Sequence, residues 1–453
     1  VYAARYTDLE YRTVLKNGIR VPLIWQNNVP APGVGNTRPM SDLLNNYLSL
    51  QGITTENPGH PGSSALHFRP SGAKTSLGAL SADASDAFIP AVNLTAQYFM
   101  FLSLKGKSPV TLNTSGNMIQ TLLDPFISQA SADFKTNKAK VNLKAALGAA
   151  TSALNTATQT DQLNSQTLIE SQKSAENLLN SSFGNLATEW TTLKTKYQDL
   201  ITRSLAMTLP GINDKPIGST DTAARAGEYQ LRVEGNIVRF ADLRELVSLT
   251  TRNVGRMADQ FALTEYVLKN NLSYSITMSF DHLTGLKTGT GLNTAANHNS
   301  DEHYTGKVPS LLLNSLFYTA MSSCLLELIS VLKTADIWKD TVIDLGGEFN
   351  RNPNSVSSGS EHGFKGKSVS LLSGGFNNTM VLGNVSASTN INLSWGLGTP
   401  VTGLGSQLRM THMAATIAHL LRTPNPVTSA SSLVTLNETT NQLSANIELA
   451  KRT

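Results

Sequence analysis

The chain has 453 residues, 40% of them hydrophobic, enough for one large α/β domain with insertions or for two to three ordinary domains. Charged residues make up only 15%, against about 25% in an average soluble protein, and the net charge is +4. With no Lys/Arg-rich patch interleaved with aromatics, this argues against a nucleic-acid partner, and no apolar run reaches the ~18 uninterrupted residues of a transmembrane helix. The single cysteine, Cys324, excludes an intrachain disulfide and a Cys-based zinc site, and reads as a buried thiol. The first residue is Val1 rather than Met, which fits removal of a signal peptide.

Residues 1–127 are punctuated by Pro and Gly and read as the N-terminal part of an α/β core with irregular loops. Within them Ser41 is a candidate cap for a helix over Asp42–Leu48, and Val92–Leu104 reads as a strand or buried segment. Residues 128–206 lack proline and carry apolar residues near helical spacing, which predicts a long helical-hairpin insertion turning near Thr156–Asp161. A Pro/Gly linker follows at 207–227, then helices over 228–270. Leu272–Met278 is expected to be a strand.

Chemistry-bearing residues concentrate after that strand. Asp281 and His282 follow it, and a long polar loop over 282–307 holds His298, Asp301, Glu302 and His303. Val308–Thr334 reads as a buried apolar helix. Strands are expected at Thr341–Leu345, Ser368–Leu372 and Thr379–Leu382, and a helix over Met410–Arg422. Strand and helix alternate, which points to a largely parallel sheet, and residues 207–423 form the C-terminal part of the core. Residues 424–453 are a Ser/Thr/Asn-rich tail. Gly374-Gly375 reads as a tight turn. Neither a Walker loop nor a Gly-x-Ser-x-Gly elbow is present. His60 and His67 read as loop residues, and His412 and His419 as packing or surface groups on a helix.

Three short stretches carry a resemblance: Phe280-Asp281-His282, Gly347-Glu348-Phe349-Asn350-Arg351-Asn352 and Gly359-Ser360-Glu361-His362-Gly363. In order and spacing they resemble the Phe-Asp-Thr-His, Ser-Glu-Phe-Gly-Arg-Thr and Gly-Thr-Asp-His-Gly motifs of an uncharacterised secreted bacterial branch of the alkaline phosphatase and sulfatase superfamily. The resemblance covers roughly 228–423. It implies a doubly wound α/β fold with a metal crevice at the strand ends. It also implies Asp281, Glu348 and His362 as metal ligands, with Glu361, His282 and His303 next, and Arg351 as an anion-binding group. The metal would be zinc, calcium or manganese.

The motifs are degenerate. Leu283 stands where the family has His, Asn350 where it has Gly, and Glu361 where it has Asp. The N-terminal stretch Val21–Asn28 offers amides where a metal-binding acid is needed. The expected function is therefore a secreted, periplasmic or cell-surface bacterial protein, structural or binding in role. It would self-associate or join other surface proteins on a catalytically degenerate fold. The alternative is a metal-dependent hydrolase of phosphate or sulfate esters.

Overall fold

In the computed structural model the described residues are 12–14, 20–57, 59–95, 99–112, 116–129, 186–207, 216–217, 238–239, 247–286, 307–353, 360–363, 365–385 and 397–450. In chain order the framing elements are strand β1 (Tyr47–Ile53), helices α1 (His60–Phe68) and α2 (Leu77–Ala84), strands β2 (Ala91–Asn93) and β3 (Pro109–Thr111), and helices α3 (Met118–Gln129) and α4 (Leu186–Ala206). Next come β4 (Val247–Leu249), α5 (Thr251–Lys269), β5 (Ile276–Thr277), β6 (Thr284–Leu286) and α6 (Lys307–Thr334). The remainder are β7 (Val342–Gly346), β8 (Asn350–Pro353), β9 (Ser360–Gly363), β10 (Lys367–Ser373), β11 (Thr379–Leu382), α7 (Met410–Leu420), β12 (Val434–Asn437) and β13 (Gln442–Ala445). The chain is of mixed α/β class.

It divides into two compact units, one of residues 1–73, 198–257 and 280–453, the other of 74–197 and 258–279. The expected 1–127 segment is thus shared between the units. The turn of the expected hairpin lies outside the described residues, and α4 is its described C-terminal part.

The first unit is built on a four-stranded sheet in the order β7-β10-β1-β11. β11 runs parallel to β1, whereas β10 is antiparallel to both β1 and β7. The chain returns from β7 through the β8–β9 hairpin rather than through a crossover helix, so β10 enters in the opposite direction. In β1 the consecutive residues Leu48, Ser49 and Leu50 are all buried, as expected of a strand covered on both faces. One irregularity matters for the site. Lys367 pairs with Ile53 but Val369 with Leu50, so β1 carries an extra residue here. Gly52 takes it up at φ +71°, and a Cβ there would fall 2.4 Å from the Asn384 carbonyl oxygen.

Helix α6 is buried on nearly every side along Ser322–Ile329, and Leu313, Leu316, Ala320 and Leu332 are also inside. It packs against the Met40–Asn46 turn and the Asn28–Pro30 strand, where Ser323 Oγ donates to the Pro30 carbonyl at 2.7 Å. Leu313–Thr334 is long and apolar enough to cross a membrane, with a mean hydropathy of 1.6, and here it is mostly buried inside the protein. The tail is integral to the same unit. Asn378 exchanges hydrogen bonds with the Leu443 backbone at 2.9 and 3.1 Å, and Val427 packs with Ala73 and Ala415 of α7.

The second unit holds an all-parallel sheet in the order β5-β2-β3. Beside it Tyr197 of α4 stacks on Phe261 of α5, with ring centroids 5.4 Å apart. Glu265 accepts from Lys196 Nζ at 2.5 Å and Tyr197 Oη at 2.7 Å.

Several expectations are corrected. The Asp42–Leu48 helix is a 3-10 turn over Met40–Asn46 with Pro39, not Ser41, at its N-cap, and Leu48 belongs to β1. The Leu272–Met278 strand shrinks to β5, because Ser273 Oγ accepts the Ser275 N–H in a local turn. Of Val92–Leu104, among the described residues only the β2 portion is strand, and Leu102 and Leu104 are exposed. Val247–Leu249 is a strand paired with β6 instead of helix.

Candidate functional site

The ends of β1 and β7 and the start of β10 meet at one edge of the sheet, since Ile53 lies opposite Lys367 and Gly346 opposite Val369. Carboxyl ends of strands are where α/β folds collect ligands. From β1 the chain passes Thr54–Gly59 and enters α1, with Pro61 in its first turn, where proline's fixed φ is tolerated. His60, Ser63 and His67 then recur at i, i+3 and i+7, one face of the helix. All three engage the end of β7 or the loop that follows it.

His67 is the innermost. Its Nε2 lies 3.0 Å from Asp344 Oδ2, and Lys367 Nζ lies 2.8 Å from its Nδ1. An ammonium can only donate, so Nδ1 is the acceptor and Nε2–H donates to Asp344. The Lys367 ammonium also donates to the Glu348 carbonyl at 3.4 Å, and Ser63 Oγ donates to that same carbonyl. Gly346 gives the imidazole its room: a Cβ there would sit 2.5 Å from His67 Cε1. Lys367 is 1% exposed, and burial pushes its amine down to about 8 against the attraction of Asp344 and Glu348. Asp344 Oδ1 is buried with no hydrogen-bond partner among the described residues.

Nearer the surface, His60 Nδ1 pairs with Glu348 Oε2. The His60, Phe349 and His362 rings pack together, with centroids 4.9 Å apart for His60–Phe349, 4.5 Å for His60–His362 and 4.3 Å for Phe349–His362. His362 arrives through the β8–β9 hairpin, opposite Arg351, while Glu361 lies opposite Asn352.

The structure therefore brings Glu348 and His362 together, through His60 and Phe349. Asp281 and His282 pair instead with each other, Nδ1 to Oδ1 at 2.7 Å, and the His282 carbonyl accepts from Asn253 Nδ2. The His282 hydrogen bond holds the Asp281 carboxyl below its usual range, with burial opposing and Arg256 assisting. Among the described residues no hydrogen bond or ion pair joins this couple to the Glu348 group, and no cluster of three or more His, Cys, Asp or Glu could hold a metal ion. His298 and His303 lie outside the described residues.

His60 and His67, expected in loops, are helical and central. Lys367 and Asp344 were not singled out by sequence reasoning. The i, i+3, i+7 pattern of His60, Ser63 and His67 was the available signal. His412 and His419 are packing groups: His412 Nδ1 accepts the Arg409 N–H at the start of α7, and His419 Nε2 accepts from Leu436 N. The chain matches no family model, no curated protein and no solved structure.

Proposed function

We propose that this protein is a secreted or cell-surface structural or binding component, a self-associating subunit on a catalytically degenerate, doubly wound fold of alkaline-phosphatase type. The observation that carries this reading is that the acids which would bind metal are already engaged within the chain. Glu348 is held by His60, and Asp281 by His282. With one oxygen of each carboxylate taken by an imidazole, fewer of its lone pairs are open to a cation. The parallel β1–β11 pair, and the polar cluster at the strand ends, support the finer fold assignment.

The alternative is a metal-dependent ester hydrolase. It draws on the perturbed Lys367 amine at the strand ends, where functional groups with displaced pKa values concentrate. The test is elemental analysis of purified wild-type protein, with assays on phosphate and sulfate monoesters and diesters in zinc, calcium or manganese, and light scattering across concentration. The expected outcome is no turnover and a concentration-dependent oligomer. Metal-dependent hydrolysis lost on Glu348→Gln would overturn the reading, and a strict monomer at high concentration would remove self-association from it.

A further inference from the structure

We propose that the extended segment 99–104 of the second unit is a peripheral membrane contact, which sets Met100, Leu102 and Leu104 into an anionic lipid surface. This goes beyond the reading of a surface component and does not depend on the Glu348 group.

Along Phe99-Met100-Phe101-Leu102-Ser103-Leu104 exposure alternates residue by residue, as it does along a strand. Phe99, Phe101 and Ser103 form the inner face. The two rings stack with centroids 6.1 Å apart, and a Cβ at Gly78 of α2 would lie 3.7 Å from Phe101 Cδ2. In a half-buried segment the outer face is ordinarily polar, but here it is apolar. Met100 is 37% exposed, Leu102 38% and Leu104 68%. Lone exposed apolar residues are ordinary, whereas three on one face of one short segment mark a contact.

The backbone of this segment already has its partners. Leu102 N–H donates to Ser76 Oγ at 3.0 Å, and its carbonyl accepts from Thr75 Oγ1 at 2.7 Å and Ser76 N–H at 3.1 Å. Leu104 N–H donates to Asp83 Oδ2 at 2.8 Å. These groups are engaged by α2 and the turn before it, so they offer no edge to a partner strand. Side chains alone remain. Three of them fall well short of the ~800 Å² per partner that a stable protein interface buries. A bilayer surface needs only a few inserted apolar groups when basic charge assists them.

That charge flanks the apolar face. Lys74 and Lys105 are exposed, and neither makes an ion pair among the described residues. The neighbouring acids are turned to other donors, Asp83 to Ser103 Oγ and Leu104 N–H, and Asp86 to Lys107 Nζ at 3.8 Å. A second copy docking through the same face would set these lysines against their own counterparts, which disfavours it. Anionic headgroups complement them.

The test is co-sedimentation of the full chain with sucrose-loaded vesicles of phosphatidylcholine, alone or mixed with phosphatidylglycerol, at low and high salt. Light scattering and melting temperature accompany each protein. Wild type is expected to bind the mixed vesicles, to bind neutral ones more weakly, and to lose affinity as salt rises. Met100→Ser with Leu104→Ser is expected to lower affinity about 10-fold or more. Lys105→Glu is expected to lower it about 30-fold on mixed vesicles only. Val34→Ser, at a fully exposed apolar residue of the first unit, should bind as wild type does. Each substitution replaces an exposed side chain, so melting temperatures should stay near that of wild type.

The inference fails if wild type leaves the mixed vesicles unbound, if M100S/L104S or K105E binds them as wild type does, or if V34S loses binding equally. If M100S/L104S loses self-association and keeps vesicle binding, the face is a protein contact and the lipid assignment is overturned. A strictly monomeric wild type would sink self-association alone, and absence of vesicle binding would sink this inference alone.

Discussion

Replacing Lys367 by Met should change how stability depends on pH more than it changes stability at neutrality. The folded amine titrates near 8 and the unfolded amine near 10.5. Between those values the unfolded chain holds a proton that the folded chain has released, so wild-type stability rises with pH across that window. Below about 8 both states are protonated and the full cost of burying the charge is present. The gap of 2.5 units, at about 1.36 kcal/mol each, gives roughly 3 kcal/mol. Solvent screening hardly reduces this, because the side chain is almost wholly buried. Met removes the ammonium and its cost, but leaves His67 Nδ1 and the Glu348 carbonyl without their donor, a penalty of about 1–3 kcal/mol. At pH 7 the two effects nearly cancel. Urea unfolding of both proteins from pH 7 to 10.5, followed by tryptophan fluorescence, isolates the slope, since the other titrating groups are common to both. The difference between wild type and K367M should grow by roughly 3 kcal/mol over the window. Parallel curves between pH 8 and 10.5 would refute the assignment of a buried, depressed amine at this position.

Other substitutions test neighbouring steps of the argument. Gly346→Ala should cost about 1–3 kcal/mol by forcing the His67 ring from its place, and should flatten the same pH slope; an unchanged denaturation midpoint would contradict the packing. His412 is held below its usual pKa by burial, with Arg409 adding to the effect, so stability falls as pH drops from 6.5 through its folded value. His412→Gln keeps an acceptor for the Arg409 N–H, so acid titration of its melting temperature should lack that fall. Glu265→Gln, in the second unit, should cost about 1–3 kcal/mol in chemical denaturation by breaking the buried pair with Lys196. Asp281→Asn should change stability by under about 1 kcal/mol, because that carboxylate is mostly exposed and its pair with His282 is screened.

The parts of the fold that were legible are those where burial alone sets the pattern. The long apolar run predicts a buried helix over 308–334, and the structure has Lys307–Thr334. Thr379–Leu382 was read to the residue as β11, and β10 to within a residue at each end, because Val369, Leu371 and Leu372 fill the core. What escaped was where local chemistry and tertiary context disagree. His60-Pro61-Gly62 reads as loop from proline and glycine, yet both are tolerated in the first turn of α1. Lys367 lies just before the expected strand Ser368–Leu372, and only the sheet partners of β10 show that it is buried in the interior. Asp344 sits in an apolar strand, where its acid has meaning only once α1 brings His67 against it.

The face of α1 explains why Glu348 and His362 converge while Asp281 does not. Ser63 and Lys367 both hold the Glu348 carbonyl, and His60 holds its carboxylate, so the segment after β7 is fixed from the helix and from β10 at once. Phe349, the next residue, is thereby set between His60 and the β9 imidazole of His362. None of these bonds reaches the segment after β5, where among the described residues the Asp281 carboxylate accepts from the His282 ring and backbone N–H, with Arg256 nearby. A crevice assembled for two-metal chemistry would need acids from both segments to converge on shared cations. Here Glu348 and Asp344 pair with imidazoles of α1 and Asp281 with its own neighbour His282, so the acids of the two segments do not converge.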